Sequence, residues 1–427
     1  MIYILDDGSR AKPVREHVEP MIQQHSNLHY ITRPDGKDAK AGNLNNGLRQ
    51  SSSTLISVVD ADHHCHSDFL LRVIPHLLSI EDGHRTPSLC NMTAFVQTTQ
   101  VFYNRNLPLV RLLDGSHDLF YKLMLPSYNG MGCAPCVGTG HIMQRRALND
   151  IGGGFITDCA VEDVTTSLAM HKLGWRSKYL DCRLIEGLSP ETLSEFFTQR
   201  ERWVAGSAQM LLYRIALFSN DLPLIWRMAY MVGAWYWILM LLFMVAIVIR
   251  MALWFVFHTV SGDPTTSWLP LLSEYLPVYA LFFLLPNLSI ETKVASIVAV
   301  FTFVPTYLSV FWGWLRGRLN PKHHTYRVKG SAEAFGDSWP KLANWNLAYL
   351  VFVTVTFAVS AIPSLRMYHT PLDWVVPSVF VLWSYIVNFP IVYAGVRFVF
   401  VRTSRGLSRL ASKLVRRRPA VDPETPV

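Results

Sequence analysis

Cysteine is scarce in this 427-residue chain, with six residues at 65, 90, 133, 136, 159 and 182 and none beyond. Scattered thiols confined to the first half exclude a disulfide framework and point to a reduced, cytosolic setting. Cys133 and Cys136 form a lone Cys-x-x-Cys with no second pair, too few ligands for a structural zinc site. The start, MIYILDDGSR, lacks the basic region and the long apolar core of a targeting segment. It reads instead as a buried strand running into a turn. No internal repeat occurs, and low complexity is confined to the short Pro-containing tail end. Charge of either sign thins out past the midpoint while Trp, Phe, Leu and Val accumulate.

That compositional break divides the chain. Residues 1–222 read as soluble, 223–401 as membrane-embedded, and 402–427 as a basic tail. Apolar runs reach bilayer length at about 228–249, 294–315, 345–365 and 375–399. Segment 276–288 is too short for a confident crossing and fits an interfacial or re-entrant piece. The loop holding Arg316, Arg318, Lys322, Arg327 and Lys329 is basic, as is the tail, whereas 259–274 contains no Lys or Arg. Four crossings satisfy this asymmetry, with the soluble part, basic loop and tail on the cytosolic face of an inner (plasma) membrane. The formal charge of +8 is carried largely beside apolar spans. It indicates a lipid bilayer as partner and argues against nucleic acid.

In the soluble part strand and helix signals alternate. MIYIL and LISVVD are short apolar runs ending in Asp, as strands do when they deliver carboxylates to one edge of a sheet. A helix is predicted from about Val161 to Leu173, closed by Gly174, with a strand resuming at WRSKYLD. Ser189-Pro190 marks another helix start, carrying ETLSEFFTQRERW. The expected fold class is α/β, a doubly wound, Rossmann-like sheet followed by transmembrane helices.

Residues 60–66, DADHHCH, admit two chemistries. Asp62-His63-His64-Cys65 spells the D-H-H-C of protein S-acyltransferases. That motif depends on a cysteine-rich zinc module, and here no Cys precedes Cys65 and the next is Cys90. Asp60-x-Asp62 is a carboxylate pair suited to a divalent cation at a diphosphate. His64 and His66 read as ordinary polar residues at a strand end.

The Asp-x-Asp sits in a series with DDGS at 6–9, KAGNLN at 40–45, VED at 161–163 and QRERW at 199–203. Together with GLSPETL and QRERWVAGSAQMLL ahead of the apolar spans, this series resembles the processive family 2 glycosyltransferases, cellulose synthase catalytic subunits most of all. The resemblance implies a GT-A glycosyltransferase domain in which Asp6 and Asp7 face the uridine of a UDP-sugar and Lys40 approaches the nucleotide. It implies that Asp60 holds the nucleotide or a metal-bound water, and that Asp62, flanked by His63, holds Mg²⁺ or Mn²⁺. Asp163, beside Glu162, is the expected base, because inverting transfer needs one carboxylate to take the acceptor's proton. At a helix start the dipole is expected to keep that carboxylate ionised. On one helix face Gln199 and Trp203 are expected at the acceptor sugar and Arg202 at the diphosphate.

Several positions depart from the family's pattern. Val161 replaces a Thr before Glu-Asp, and CAPCVGTGHIMQRR replaces a Phe-Phe-Cys-Gly segment. The gating-loop counterpart at 316–344 holds TYRVKG, keeping Tyr326, Val328 and Lys329 without the Thr-Pro. Met1 falls at what resembles the family's second strand, and no cyclic-di-GMP-binding barrel follows. The expectation is a membrane-embedded, processive, inverting enzyme extending a β-linked glucan from UDP-glucose, with the growing polysaccharide and accessory membrane or periplasmic subunits as partners. A different β-linked polymer (β-1,3-glucan, mannan or an amino-sugar polymer), or a truncated homologue unable to hold UDP, are the competing readings.

Overall fold

The computed structural model describes residues 1–7, 11–79, 88–210, 220–236, 288–316, 339–360 and 371–400, with isolated positions at 239, 242, 245, 246, 249, 284, 285 and 403. Strand β1 (Ile2–Asp6), helix α1 (Ala11–Gln24) and strand β2 (Leu28–Thr32) form a β-α-β unit. β1 and β2 pair in parallel from Ile2 with Leu28 to Asp6 with Thr32. Helix α2 (Ala39–Arg49) leads to β3 (Leu55–Val58), and a turn carrying Asp60 and Asp62 leads on to β4 (His63–Cys65).

A five-stranded sheet carries the site. It is built from β3, β4, β5 (Thr93–Phe102), β6 (His141–Gln144) and β7 (Arg176–Gly187), in the order β3-β6-β5-β7-β4. The expected doubly wound parallel sheet is corrected here. Only β5 and β7 run parallel, while β3 with β6, β6 with β5, and β4 with β7 are antiparallel. Strand-helix alternation does not set direction, because the long connection from β5 to β6 is free to return the chain either way. Along β5 the register against β7 shifts at Thr98–Gln100, a bulge of the kind that re-aims side chains beside sites. Phe95, Ile142, Met143 and Ile185, all fully buried, fill the sheet's faces. The β1–β2 pair is not hydrogen-bonded to this sheet.

Helix α3 (Glu162–Lys172) and its closing Gly174, at φ +85°, follow the expectation closely. Helix α4 (Leu193–Gln209) starts later than Ser189-Pro190 suggested. A reciprocal capping box decides its start: Thr192 Oγ1 accepts from Glu195 N at 3.3 Å and Glu195 Oε2 accepts from Thr192 N at 3.2 Å.

The apolar half is described in part. Helices α5 (Ile290–Thr302) and α6 (Val304–Leu315) form a pair bent by 44°, and Val381–Val387, the end of α8 (Pro371–Val387), is bent by 65° from α9 (Phe389–Phe400). Between them lies α7 (Ala343–Ser360). No single helix among the described residues is long and apolar enough to cross a membrane, although the two bent pairs are by length and composition. Pro305 and Pro390, at the start of each second helix, withhold the amide that would continue the first. Buried Asn346 serves both bends, its Nδ2 reaching the carbonyls of Phe301 (3.4 Å) and Thr302 (3.3 Å) and Asn388 Oδ1 at 2.8 Å. Eight residues of 228–249, most of 276–288, and residues 361–365 lie outside the described residues. Phe303 packs on Phe197 and Phe196 of α4, so the α/β part docks on the α5–α6 bend.

Candidate functional site

An open cleft of about 2410 Å³ is lined by Asp7, Arg33, Lys40, Asp60, Glu162 and Arg202. One edge of β1 and one of β3, unpaired among the described residues, also face it, through Ile2, Ile4, Leu55 and Ser57. Asp7 Oδ1 accepts from Arg33 Nε at 2.5 Å, which fixes the carboxylate at the cleft wall. Asp6, also expected at the uridine, is engaged by Tyr30. Its Oδ2 accepts from Tyr30 Oη at 2.6 Å, and it is not among the residues lining the cleft. Gly8 and Ser9, which complete DDGS, lie outside the described residues.

Lys40 is brought from the start of α2 to the end of β3. Its Nζ lies 2.5 Å from Asp60 Oδ1 and donates to Gly138 O at 2.8 Å. Gly138 has to be glycine, since at φ +85° a Cβ would lie 2.8 Å from Asp163 Oδ2 and 3.3 Å from Lys40 Nζ. The neighbouring Thr139, buried, accepts the Asp60 amide at 3.1 Å through Oγ1. The CVGTG segment therefore holds Asp60 by its backbone and Lys40 by its side chain, and gives Asp163 room.

Asp60, Asp62 and His63 are brought together, with one ligand atom from each lying within 4.8 Å of the others. Two carboxylates at a solvent-facing turn suit a hard divalent cation, which takes one or two protein carboxylates alongside phosphate and water. Mg²⁺ and Mn²⁺ both fit this donor set. His64 tilts against Tyr103, and His66 Nε2 lies 3.5 Å from Glu186, as ordinary edge residues do. Cys65 is exposed on the strand, and desolvation pushes its thiol up from the usual range, the reverse of an activated nucleophile. No group of three or more metal-ligating residues among the described ones includes a cysteine.

Beside the cleft is a smaller apolar chamber of about 230 Å³, lined by Gln100, Tyr121, Val161, Asp163, Arg202 and Trp203. Arg202 faces both cavities and so marks their junction. Asp163 stands on the first turn of α3, where its Oδ1 accepts from Val164 N at 2.8 Å. Burial is the main cause that pushes its carboxyl up to about 7; the Glu162 charge adds to the rise, and Lys40 and Arg202 oppose it. The expected lowering by the helix dipole is thus outweighed by desolvation. A carboxylate tuned to neutrality suits a general base.

Trp203 forms one wall of the chamber. Buried Arg200 stacks its guanidinium 4.5 Å from the Trp203 ring and 5.3 Å from that of Phe303. His117 meets the Trp203 ring edge-on at 5.2 Å and pairs through Nδ1 with Asp114. Sequence reasoning missed Arg200 and His117; the i, i+3 spacing of Arg200 and Trp203 is the signal that could have found the first. Gln199 is not among the chamber-lining residues, and its Oε1 is buried without a hydrogen-bond partner among the described residues. Tyr326, Val328 and Lys329 lie outside the described residues.

Residues 55–261 match the model of the glycosyl transferase family group 2. The chain carries a family 2 glycosyltransferase domain. Its sheet and flanking helices make this a GT-A-like α/β domain. Among curated relatives, the cellulose synthase 1 catalytic subunit of Komagataeibacter xylinus is 30% identical over 235 residues, covering 54% of this chain and 29% of the relative. The cellulose synthase catalytic subunit of Pseudomonas fluorescens (strain SBW25) is 30% identical over 229 residues, covering 52% and 28%. The matched part thus spans under a third of either relative's length. Similar solved structures are the mannosyltransferase PcManGT of Pyrobaculum calidifontis with GDP-Man and Mn²⁺ (15% identical, TM-score 0.47, covering 74% of this chain and 78% of that one) and S. aureus TarS 1-349 with UDP-GlcNAc (12%, 0.34, 74% and 82%).

Proposed function

We propose that this glycosyltransferase domain transfers hexose, with inversion, from a UDP-sugar to the end of a growing β-linked glucan, UDP-glucose being the donor. The observation that carries this reading is the meeting of a charged cleft with an aromatic chamber at Arg202, with a carboxylate tuned to about 7 on the chamber side. Asp7, Lys40 and Asp60 on the cleft wall bind the nucleotide; the Trp203 face takes the apolar side of the terminal acceptor sugar.

Asp163 accepts the proton of the acceptor hydroxyl as its oxygen bonds to the anomeric carbon. The bond from that carbon to the diphosphate oxygen breaks, and UDP departs with the electron pair. Arg202, at the junction, stabilises the negative charge that gathers on the leaving group. Asp60 and Asp62, with His63 beside them, would hold a divalent cation, which would supply further charge neutralisation there. The bent apolar helix pairs support embedding in a membrane, with the basic loop at 316–344 on the same side as the site. The glucan would be passed through these helices.

The test is incubation of membranes containing the chain with radiolabelled UDP-glucose, UDP-mannose and UDP-N-acetylglucosamine, followed by digestion with linkage-specific hydrolases. Polymer from UDP-glucose cleaved by a β-1,4-glucanase is the expected result. Label taken up only from another donor, or released by a β-1,3-glucanase, reassigns the product. No incorporation from any donor ends the enzymatic reading.

A further inference from the structure

One part-buried polar chain runs from the chamber to the cation site, and two of its members, Gln100 and Tyr121, have no part in the mechanism above. Tyr121 Oη donates to Gln100 Oε1 at 2.9 Å, Gln100 Nε2 meets His63 Nε2, and His63 Nδ1 lies 2.6 Å from Asp62 Oδ1. The links share one polarity. An amide whose oxygen accepts from Tyr121 turns its N–H to His63, so Nε2 is the acceptor and Nδ1 carries the proton towards Asp62. The opposite amide orientation would set a bare Nδ1 against the Asp62 carboxylate. Both nitrogens of His63 are therefore engaged.

The surroundings hold this chain rigidly. His63 is buried opposite Gly187, its partner in the β4–β7 register, where a Cβ would lie 2.2 Å from Nε2; no other residue leaves space for the imidazole. The bulge at Thr98–Gln100 sets the direction of Gln100. Tyr121 sits on a single π-helical turn, Phe120–Met124, and its carbonyl accepts from Tyr179 Oη at 3.0 Å. A satisfied polar core would have the same hydrogen bonds but no reason to end where this one does. Gln100 and Tyr121 line the chamber, and Asp62 is grouped with Asp60 at the cation site.

We propose that Gln100 and Tyr121 are positioning residues which, through His63, orient the Asp62 carboxylate for the divalent cation and so tie the acceptor chamber to the cation site. On this reading, which rests on the proposed function, His63 acts through Asp62 rather than as a ligand. Partners that orient a metal ligand are each worth about 10- to 100-fold in metal affinity.

The experiment titrates Mn²⁺ into the purified full chain with UDP present, reading free Mn²⁺ by electron paramagnetic resonance. Gln100→Leu is expected to weaken Mn²⁺ binding about tenfold or more, and Tyr121→Phe to weaken it in the same direction. The double variant is expected to be no weaker than Gln100→Leu, because both break one chain. Tyr128→Phe is the control: it removes a hydrogen bond to Ala229 O (3.1 Å) in the same cluster and leaves Mn²⁺ affinity unchanged. Where Gln100→Leu fails to fold, the single-atom change Tyr121→Phe carries the test. Wild-type affinity in Tyr121→Phe and Gln100→Leu, or equal weakening by Tyr128→Phe, overturns the proposal and leaves the glycosyltransferase reading standing. A wild-type chain that binds no Mn²⁺ with UDP removes the cation from both.

Discussion

Lys40 Nζ lies 2.5 Å from Asp60 Oδ1, joining the start of α2 to the end of β3 across the mouth of the cleft. Neither side chain is fully exposed, so the pair is more than a surface contact, and the phosphates of a nucleotide would compete with Asp60 for the ammonium. Lys40→Met keeps the apolar stem and loses the charge. It is expected to weaken UDP binding by about tenfold, the equivalent of about 1.4 kcal/mol. Calorimetric titration of UDP checks this. Unchanged affinity would remove Lys40 from nucleotide binding.

Asp163 gives a pH dependence with a definite sign. With its carboxyl raised to about 7 by burial, the base is protonated below neutrality. kcat/KM should therefore rise about tenfold per pH unit below 7 and level off above it. Stability moves the other way. The ordinary value is about 3.9, so below it the carboxyl is protonated whether folded or not, and stability is lost as pH rises from about 4 through 7. Asp163→Asn should lower kcat by at least about 100-fold, keep UDP affinity, and raise the melting temperature at pH 8. A variant retaining a tenth of wild-type turnover would exclude Asp163 as the base.

The sequence made the local features plain. The α3–Gly174–β7 succession and the strands ending near Asp6 and Asp60 are read from patterns within about a dozen residues, and the structure places them as expected. The start of α4 is equally local, but it lies at the Thr192–Glu195 capping box rather than at Ser189-Pro190. Long-range arrangement was not legible. The antiparallel return of β6 depends on how some 38 residues after β5 are spent, and Gln100, Tyr121 and Arg200 take their meaning from partners 21 to 103 positions away in sequence, such as His63 and Phe303. Burial, too, is a tertiary property, which is why the helix dipole looked decisive for Asp163 when desolvation is larger. Asp6, the last residue of β1, meets Tyr30 of the paired strand β2, a diagonal cross-strand contact that the local pattern does not display.

Asp62 and Cys65 lie three residues apart and separate the two chemistries that DADHHCH could support. Asp62→Ala should abolish Mn²⁺-dependent transfer, since it removes a cation ligand, whereas Cys65→Ser should leave turnover within about twofold. Parallel assays across a Mn²⁺ series decide between them. The reverse order of sensitivity, with a thioester trapped on Cys65, would establish acyl transfer instead.

Asn346 joins two bends that proline creates in different helix pairs, and its removal tests whether those bends are built features. Its Nδ2 serves carbonyls freed before Pro305 and the side chain of Asn388, which itself donates to Ser384 O at 2.9 Å. Leucine at 346 fills similar volume but leaves the Phe301 and Thr302 carbonyls and Asn388 Oδ1 without that donor in an apolar setting. The expected loss is about 1–3 kcal/mol, the cost of stranding buried polar groups, seen as a lower melting temperature in detergent. Asn388→Leu should be destabilising alone, yet the double variant should be less destabilised than the two losses added, because each single change strands the other's partner. Strict additivity would mean that the two asparagines act independently and that the bends are held by packing around Phe303 instead.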